Sequence, residues 1–456
     1  MTGSSSRSIY YLAAFSRFIN RLIKYYHVQV DNLNQAEVHA TQHTFRSYLI
    51  FWTGQLFSLL GSSIVSFTVI WWITVETQST LFLSIAALLA FLPQLITIPI
   101  GGVVTDRSDR KQIIALADSF QALTTFCLIL IFLAGNVNVW AVMLINGLRG
   151  VFQAFHIPAV NAIIPVMVPK EHLSRINGIN NLLTGLINVI GPVLAASLMT
   201  FWTAGEILWI DVITFFIAIV PLLLITIPSV KKESEQQEKP SFVQEFELGI
   251  KTLNSTPGIL ALATWSAILN FLITPYMILM PYFINVTHSG TESDLAFIMA
   301  SFQIGVIVGG LIVTFKKTWN NKVATLLALT FIINTAIGIL AVAPKGVFQV
   351  MIASQLFIGM SFAIAVPLYS TILQMAVPPD KLGRIHSIDW FLSLAVTPIA
   401  MVISGPLAEM VGIVNLFLVS AVLGILSNAF IWLFTGITSI NYDLTAELEK
   451  ETTIVV

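Results

Sequence analysis

Twelve apolar runs, each long enough to cross a lipid bilayer, recur along this chain. They lie at about 47–75, 79–104, 112–134, 138–162, 178–201 and 206–228, then at about 258–285, 294–316, 323–344, 346–371, 386–411 and 413–436. A membrane-spanning helix needs about 20 mostly apolar residues, because each residue advances it by only 1.5 Å. The pattern therefore predicts an all-α membrane protein of about twelve transmembrane helices. Composition agrees: 56% of the residues are hydrophobic, 10% are charged and the mean hydropathy is +0.86. Soluble domains carry about 25% charged residues. A net charge of −1 gives no reason to expect a nucleic-acid partner, and the single cysteine, Cys127, excludes a disulfide framework.

The connections divide the runs into two sets of six. Residues 228–258, "PSVKKESEQQEKPSFVQEFELGIKTLNSTPG", form the longest polar interval after the N-terminal tail. The expected organisation is a tail at 1–45, a six-helix bundle at 46–228, a central loop at 229–257, a second six-helix bundle at 258–437 and a tail at 438–456. In the first tail, Tyr11, Phe15, Phe18, Leu22 and Tyr25 recur at helical spacing among basic residues. That pattern reads either as a helix lying in the membrane interface or as a loose, dispensable tail. With the N-terminus in the cytoplasm and each run reversing sides, all but two of the 22 Lys and Arg fall on the cytoplasmic side; the exceptions are Arg149 and Lys345. This positive-inside bias predicts a plasma-membrane protein with both termini cytoplasmic.

The two sets are copies. Residues 150–183 align without a gap on residues 359–392 and agree at 11 of 34 positions. Gly150 meets Gly359, Ala154 meets Ala363, Pro158 meets Pro367 and Arg175 meets Arg384. Because each unit has an even number of runs, both copies enter the membrane from the same side. The two bundles are then related by a pseudo-twofold axis along the membrane normal, which leaves a path between them.

Charge is concentrated in "GGVVTDRSDRK", between the second and third runs, where Asp106, Arg107, Asp109, Arg110 and Lys111 fall within six residues. Gly101 and Gly102 permit close helix approach at the end of the second run. Asp106 is expected beside a helix N-terminus, and the basic residues at the headgroups. The segment resembles the G-x-x-x-D-R-x-x-R-K loop of the major facilitator superfamily through Gly102, Asp106, Arg107, Arg110 and Lys111. "GLINVIGP", Gly185 to Pro192, is similar to the G-x(5)-G-P signature of that superfamily's drug/proton antiporters, and "LRGVFQAFHIPAVNAIIPVMVPKEHL" resembles its macrolide-efflux branch. The resemblance covers about residues 46–437. It implies the two-bundle fold, a gating latch at the charged loop, and an export-favouring, leak-preventing role for Gly185, Gly191 and Pro192. The basic loop is equally a topology determinant, and the span-5 glycines equally a packing seam.

Arg149 stands inside the fourth run. A charge at mid-membrane costs about 3 kcal/mol and must face a partner or a wet cavity. By resemblance it is the span-4 arginine tied to proton coupling, although Phe152–Gln153 replaces the glycine usual after it. Asp118 and Asp211, in the third and sixth runs, are candidate proton carriers or helix-packing carboxylates. Asp389 is expected in the first turn of span 11, complementing the helix dipole. The substrate path is expected among aromatic and amide side chains: Gln55, Gln94, Asn188, Trp265, Asn270, Tyr276 and Gln303. Apolar and aromatic walls with few polar groups suit a lipophilic or amphipathic ligand.

No G-x(4)-G-K-[ST] phosphate loop occurs, so an ATP-driven pump is disfavoured, and no His/Cys spacing points to a metal or a catalytic centre. The expectation is a non-enzymatic, monomeric secondary transporter without a cofactor. It exports macrolide-like or multidrug-like small molecules in exchange for protons, by rocking of its halves. The alternatives are export of an endogenous metabolite such as a siderophore, nutrient uptake, or a non-transporting membrane scaffold.

Overall fold

The computed structural model describes residues 41–228, 258–316 and 318–439. The expected interfacial helix near the N-terminus, the central loop and most of the C-terminal tail lie outside these residues. Among the described residues there is no strand, and twelve helices are long and apolar enough to cross a membrane. Their main segments are α1 (Gln42–Thr77), α2 (Thr80–Arg107), α3 (Arg110–Leu133), α4 (Val139–Met167), α5 (Leu173–Met199) and α6 (Trp209–Leu224), the last completed to a full span, Ala204–Leu224, by a short helical turn at Ala204–Ile207. There follow α7 (Ile259–Tyr282), α8 (Glu292–Phe315), α9 (Lys322–Ala341), α10 (Phe348–Ala376), α11 (Pro379–Val411) and α12 (Ile413–Phe434).

Polar residues in the connections set where the helices start. The side chains of Thr41, Asp109, Asn138, Thr291 and Asn321 accept hydrogen bonds from first-turn amides of α1, α3, α4, α8 and α9. Helices exceed the expected runs: α4 continues through the apolar residues 163–167, and α11 begins at Pro379, seven residues before its apolar run. Hydropathy marks the thickness of the hydrocarbon, whereas the helix continues until a cap or a proline stops it. Two expectations change as a result. Asp389 lies about three turns into α11 instead of in its first turn. The carboxylate at the N-terminus of α3 is Asp109, whose Oδ1 accepts the Lys111 amide at 2.8 Å; Asp106 sits in the last turn of α2, exposed.

Packing repeats across the duplication. In the first half α2 packs on α4, α3 on α4, α1 on α6 and α1 on α5; in the second, α8 packs on α10, α9 on α10, α7 on α12 and α7 on α11. The aligned residues occupy matching places in this scheme. A Cβ on Gly150 would meet the Ala90 carbonyl of α2 at 2.5 Å, and one on Gly359 would collide with the Phe302 carbonyl of α8. Gly101 lies against Ala154, and Gly309 lies against Met360 and Ala363. These seams have no room for a methyl group, which is how backbones approach closely in a bilayer. Gly102, by contrast, faces open space.

The face of the molecule that carries residues 106–111 is termed the basic face. Buried apolar side chains form three clusters. One joins both halves at the far face, where Ile73, Leu83 and Ile207 pack in the same core as Phe283, Leu340 and Phe417. Two are confined to single halves at the basic face, one around Phe51, Ile163 and Met167, the other around Leu262, Leu368 and Ile372. The halves are thus sealed together at the far face and packed separately at the basic face. The seal includes a contact of α2 with α11, where Thr80 Oγ1 donates to the Gly405 carbonyl at 3.1 Å. At mid-height α5 meets α8, with Gly185 against Gln303.

A Cβ on Gly405 would come within 2.7 Å of the Leu81 Cα and 2.8 Å of the Thr80 carbonyl oxygen. Overpacking of this kind costs about 1–3 kcal/mol, and each 1.4 kcal/mol shifts a population about tenfold. Gly405→Val should therefore open the far-face seam. The expected readout is about tenfold faster maleimide labelling of Ser84→Cys, buried beneath that seam, in a Cys127→Ser background.

Candidate functional site

A cavity of about 400 Å³ lies within the first six helices. Its charged members come from three of them: Asp118 from α3, Arg149 and His156 from α4, and Asp211 from the first turn of α6. All four are at least nine-tenths buried. A charge removed from water must find compensation at once, and these residues find it in one another.

The cavity has two polar layers, fixed by helical periodicity. Gln55 and Ser62 on α1, Asp118 and Thr125 on α3, and Arg149 and His156 on α4 are each seven residues apart. Seven residues are two turns, so both members of each pair share a helix face about 10 Å apart along the axis. Because α4 runs antiparallel to α1 and α3, His156 meets the layer of Gln55 and Asp118, and Arg149 meets the layer of Ser62 and Thr125.

In the Arg149 layer, Arg149 Nη2 lies 3.2 Å from Asp211 Oδ2 and 3.3 Å from Ser62 Oγ. Ser62 donates to Asp211 Oδ1 at 3.1 Å, and Thr125 donates to Asp211 Oδ2 at 2.6 Å. Both oxygens of Asp211 are thereby occupied. Arg149 Nη1, also buried, has no partner among the described residues. In the His156 layer, Gln55 Nε2 donates to Asp118 Oδ2 at 3.1 Å, and His156 Nε2 lies 3.1 Å from both Asp118 Oδ1 and Gln55 Oε1. A hydrogen on Nε2 satisfies both acceptors at once.

The structure distributes the expected site residues unevenly. Arg149, Asp118 and Asp211 converge on the cavity, and Gln55, Gln94 and Asn188 line it. Gln303 sits at the α5–α8 seam, and Asn270 is exposed on α7 with its Nδ2 on the Ser266 carbonyl. Trp265 and Tyr276 are in the buried packing of the second half, Tyr276 edge-on to Phe417. The expected aromatic wall is therefore absent from this cavity. Serine and amide side chains contribute much of its lining, and Phe215 is the one aromatic ring lining it besides His156. Gly185 faces α8, whereas Gly191 is pressed against Ser63 of α1 beside the buried Pro192.

Contacts of the charged loop stay inside the first half. Arg110 Nη1 donates to the Ala162 carbonyl of α4 at 2.8 Å. Lys111 Nζ donates to the carbonyls of Leu223 and Ile225, at the end of α6, at 2.8 and 2.7 Å. Lys111 thereby satisfies carbonyls at the C-terminus of α6, and Arg110 adds a donor to a carbonyl in the last two turns of α4. Asp106 and Arg107 are exposed, with no ion pair among the described residues.

His156, Ser62 and Thr125 are the members the sequence reading missed. The seven-residue spacing of Arg149 and His156 is a visible signal that both point the same way. The hydroxyls carry no signal until the helices are assembled.

Twelve spanning helices in two halves that share a core at one face, with a polar cavity inside the first half, define a membrane-embedded carrier. Residues 51–393 match the family model of the Major Facilitator Superfamily, and the chain belongs to that superfamily of transporters. It is 29% identical over 372 residues to macrolide efflux protein A of Streptococcus pyogenes, a match covering 82% of this chain and 92% of that protein. It is 22% identical over 364 residues to the multidrug efflux pump Tap of Mycolicibacterium fortuitum, covering 78% of this chain and 88% of the pump. Among solved structures, a bacterial homologue of the iron transporter ferroportin in an inward-facing state superposes with a TM-score of 0.66 at 14% identity, over 85% of this chain and 98% of that one. At that identity the likeness concerns the fold alone.

Breaking a buried ion pair from one side strands a charge and costs about 3–5 kcal/mol, whereas removing both charges avoids that penalty. Asp211→Asn should lower the melting temperature of the detergent-purified protein. The double variant Arg149→Gln, Asp211→Asn should recover more than half of the loss.

Proposed function

We propose that this protein is a proton-coupled exporter of amphipathic small molecules, macrolides among them. The observation that carries this reading is the pair of polar layers buried in one half of a carrier whose halves share a core at the far face and pack separately at the basic face. A buried network of ionisable side chains is expensive in a membrane and marks an ion or proton pathway. The substrate class rests on the kinship to macrolide efflux protein A and to the pump Tap. The hydroxyl-rich and amide-rich cavity offers a seat for the polar end of such a compound, with Arg149 Nη1 as a spare donor.

On this reading the basic face is cytoplasmic, as are both termini, because Lys and Arg concentrate there. The protein works as a monomer in the plasma membrane, and the bundles 46–228 and 258–437 rock about the substrate. The present arrangement then opens to the cytoplasm. When the far-face seam opens, the basic ends of α2 and α11 approach, and Asp106 and Arg107 become available to latch them. Gly185, Gly191 and Pro192 hold α5 close to α8 and α1, which keeps the inter-half seam tight.

The test is export itself. Cells of a macrolide-susceptible strain expressing the protein should hold several-fold less radiolabelled erythromycin at steady state and tolerate more of it. A protonophore should abolish the difference. Arg149→Ala should abolish it as well, with membrane insertion unchanged. Equal erythromycin retention with and without the protein would refute the assignment.

A further inference from the structure

We infer that the transported proton is carried by the Asp118–His156 pair, and that Arg149–Asp211 is a fixed strut beside it. This rests on the proton-coupled reading above and assigns the site within it.

Four ionisable side chains face the cavity: Asp118 from α3, Arg149 and His156 from α4, and Asp211 from α6. The remaining walls, from α1, α2 and α5, contribute Gln55, Gln94 and Asn188, which do not titrate. Both oxygens of Asp211 are taken, Oδ1 by Ser62 and Oδ2 by Thr125 and Arg149. A guanidinium never gives up its charge at physiological pH. A proton on Asp211 would leave the buried Arg149 guanidinium without its counter-charge. Asp118 has different company: an amide on one oxygen and, 3.1 Å from the other, an imidazole. Histidine is the side-chain type whose charge ordinarily changes between pH 5 and 8.

The step balances as follows. In the empty form the neutral imidazole carries its hydrogen on Nε2, shared between Asp118 Oδ1 and Gln55 Oε1, and the pair bears −1. Loading adds one proton from water to His156 Nδ1, so the pair becomes an imidazolium–carboxylate of net charge zero. Release removes that proton, and no other bond changes. Because Arg149 and Asp211 cancel, the cavity as a whole moves between −1 and zero. A net charge resists being sealed away from water, whereas a neutral, internally bonded cluster tolerates it. Occupancy of His156 thus biases which face of the carrier is closed.

The test reads that bias directly and needs no substrate. In the full-length Cys127→Ser protein reconstituted in liposomes, maleimide labelling of Ser84→Cys reports opening of the far-face seam. Each rate is normalised to that of the denatured protein at the same pH. Between pH 8 and pH 6 the normalised rate should change by about tenfold, a 1.4 kcal/mol population shift. In His156→Gln and in Asp118→Asn it should become independent of pH, with membrane insertion and labelling of the denatured protein unchanged. An unchanged pH response in His156→Gln, or none in the parent protein, overturns the assignment. Loss of the pH response in His156→Gln, alongside a parent that moves no erythromycin, would support the proton site and sink the macrolide reading instead.

Discussion

The rest of this structure depends on one constraint: a charge within the membrane must be neutralised by something within the membrane. Four ionisable side chains stand in the first half, and water is not there to solvate them fully. Their answer is mutual, arginine to aspartate and histidine to aspartate, with two hydroxyls and an amide completing the bonds. That requirement brings α1, α3, α4 and α6 together in one register. The apolar surfaces say little about register, since lipid and leucine are equally greasy.

Glycine does for the backbone what the ion pairs do for the charges. The α2–α4 and α8–α10 seams bring helices together at Gly150 and Gly359 until a methyl group has no place. These tight seams bind the helices within each half closely to one another. The seam between the halves is different: it is a shared core at the far face and a contact of Thr80 with Gly405, with separate cores at the other face. Close packing within each half and a separate, one-faced contact between them suit the alternating exposure proposed above.

Much of this was legible in the sequence. The twelve helices follow from hydropathy, because a bilayer of fixed thickness imposes a length on every span. The duplication follows from Gly, Pro and Arg kept in register at an offset of 209. Arg149, Asp118 and Asp211 stood out because charge inside an apolar run is rare. What could not be read was pairing across helices. His156 lay in plain view seven residues after Arg149, yet its significance needs Asp118 and Gln55 on two other helices. Ser62 and Thr125 look like ordinary membrane-helix residues until Asp211 is placed between them. Helix ends were misjudged where α4 runs on through the apolar residues 163–167 and where a polar first stretch, 379–385, prolongs α11, which moved Asp389 into the body of its helix. The aromatic wall was a generic expectation, and Trp265 and Tyr276 serve packing instead.

The duplicated halves are alike in architecture and unlike in content. At the offset that relates them, Arg149 corresponds to Ile358 and His156 to Ala365, both buried and both mute to protons. The buried Arg–Asp and His–Asp pairs thus have no counterpart at that offset in the second half, whose own buried carboxylate, Asp389, accepts a hydrogen bond from the Tyr369 hydroxyl instead. On the proposed proton reading, a change of pH is felt first by one half and reaches the other only through the interface they share.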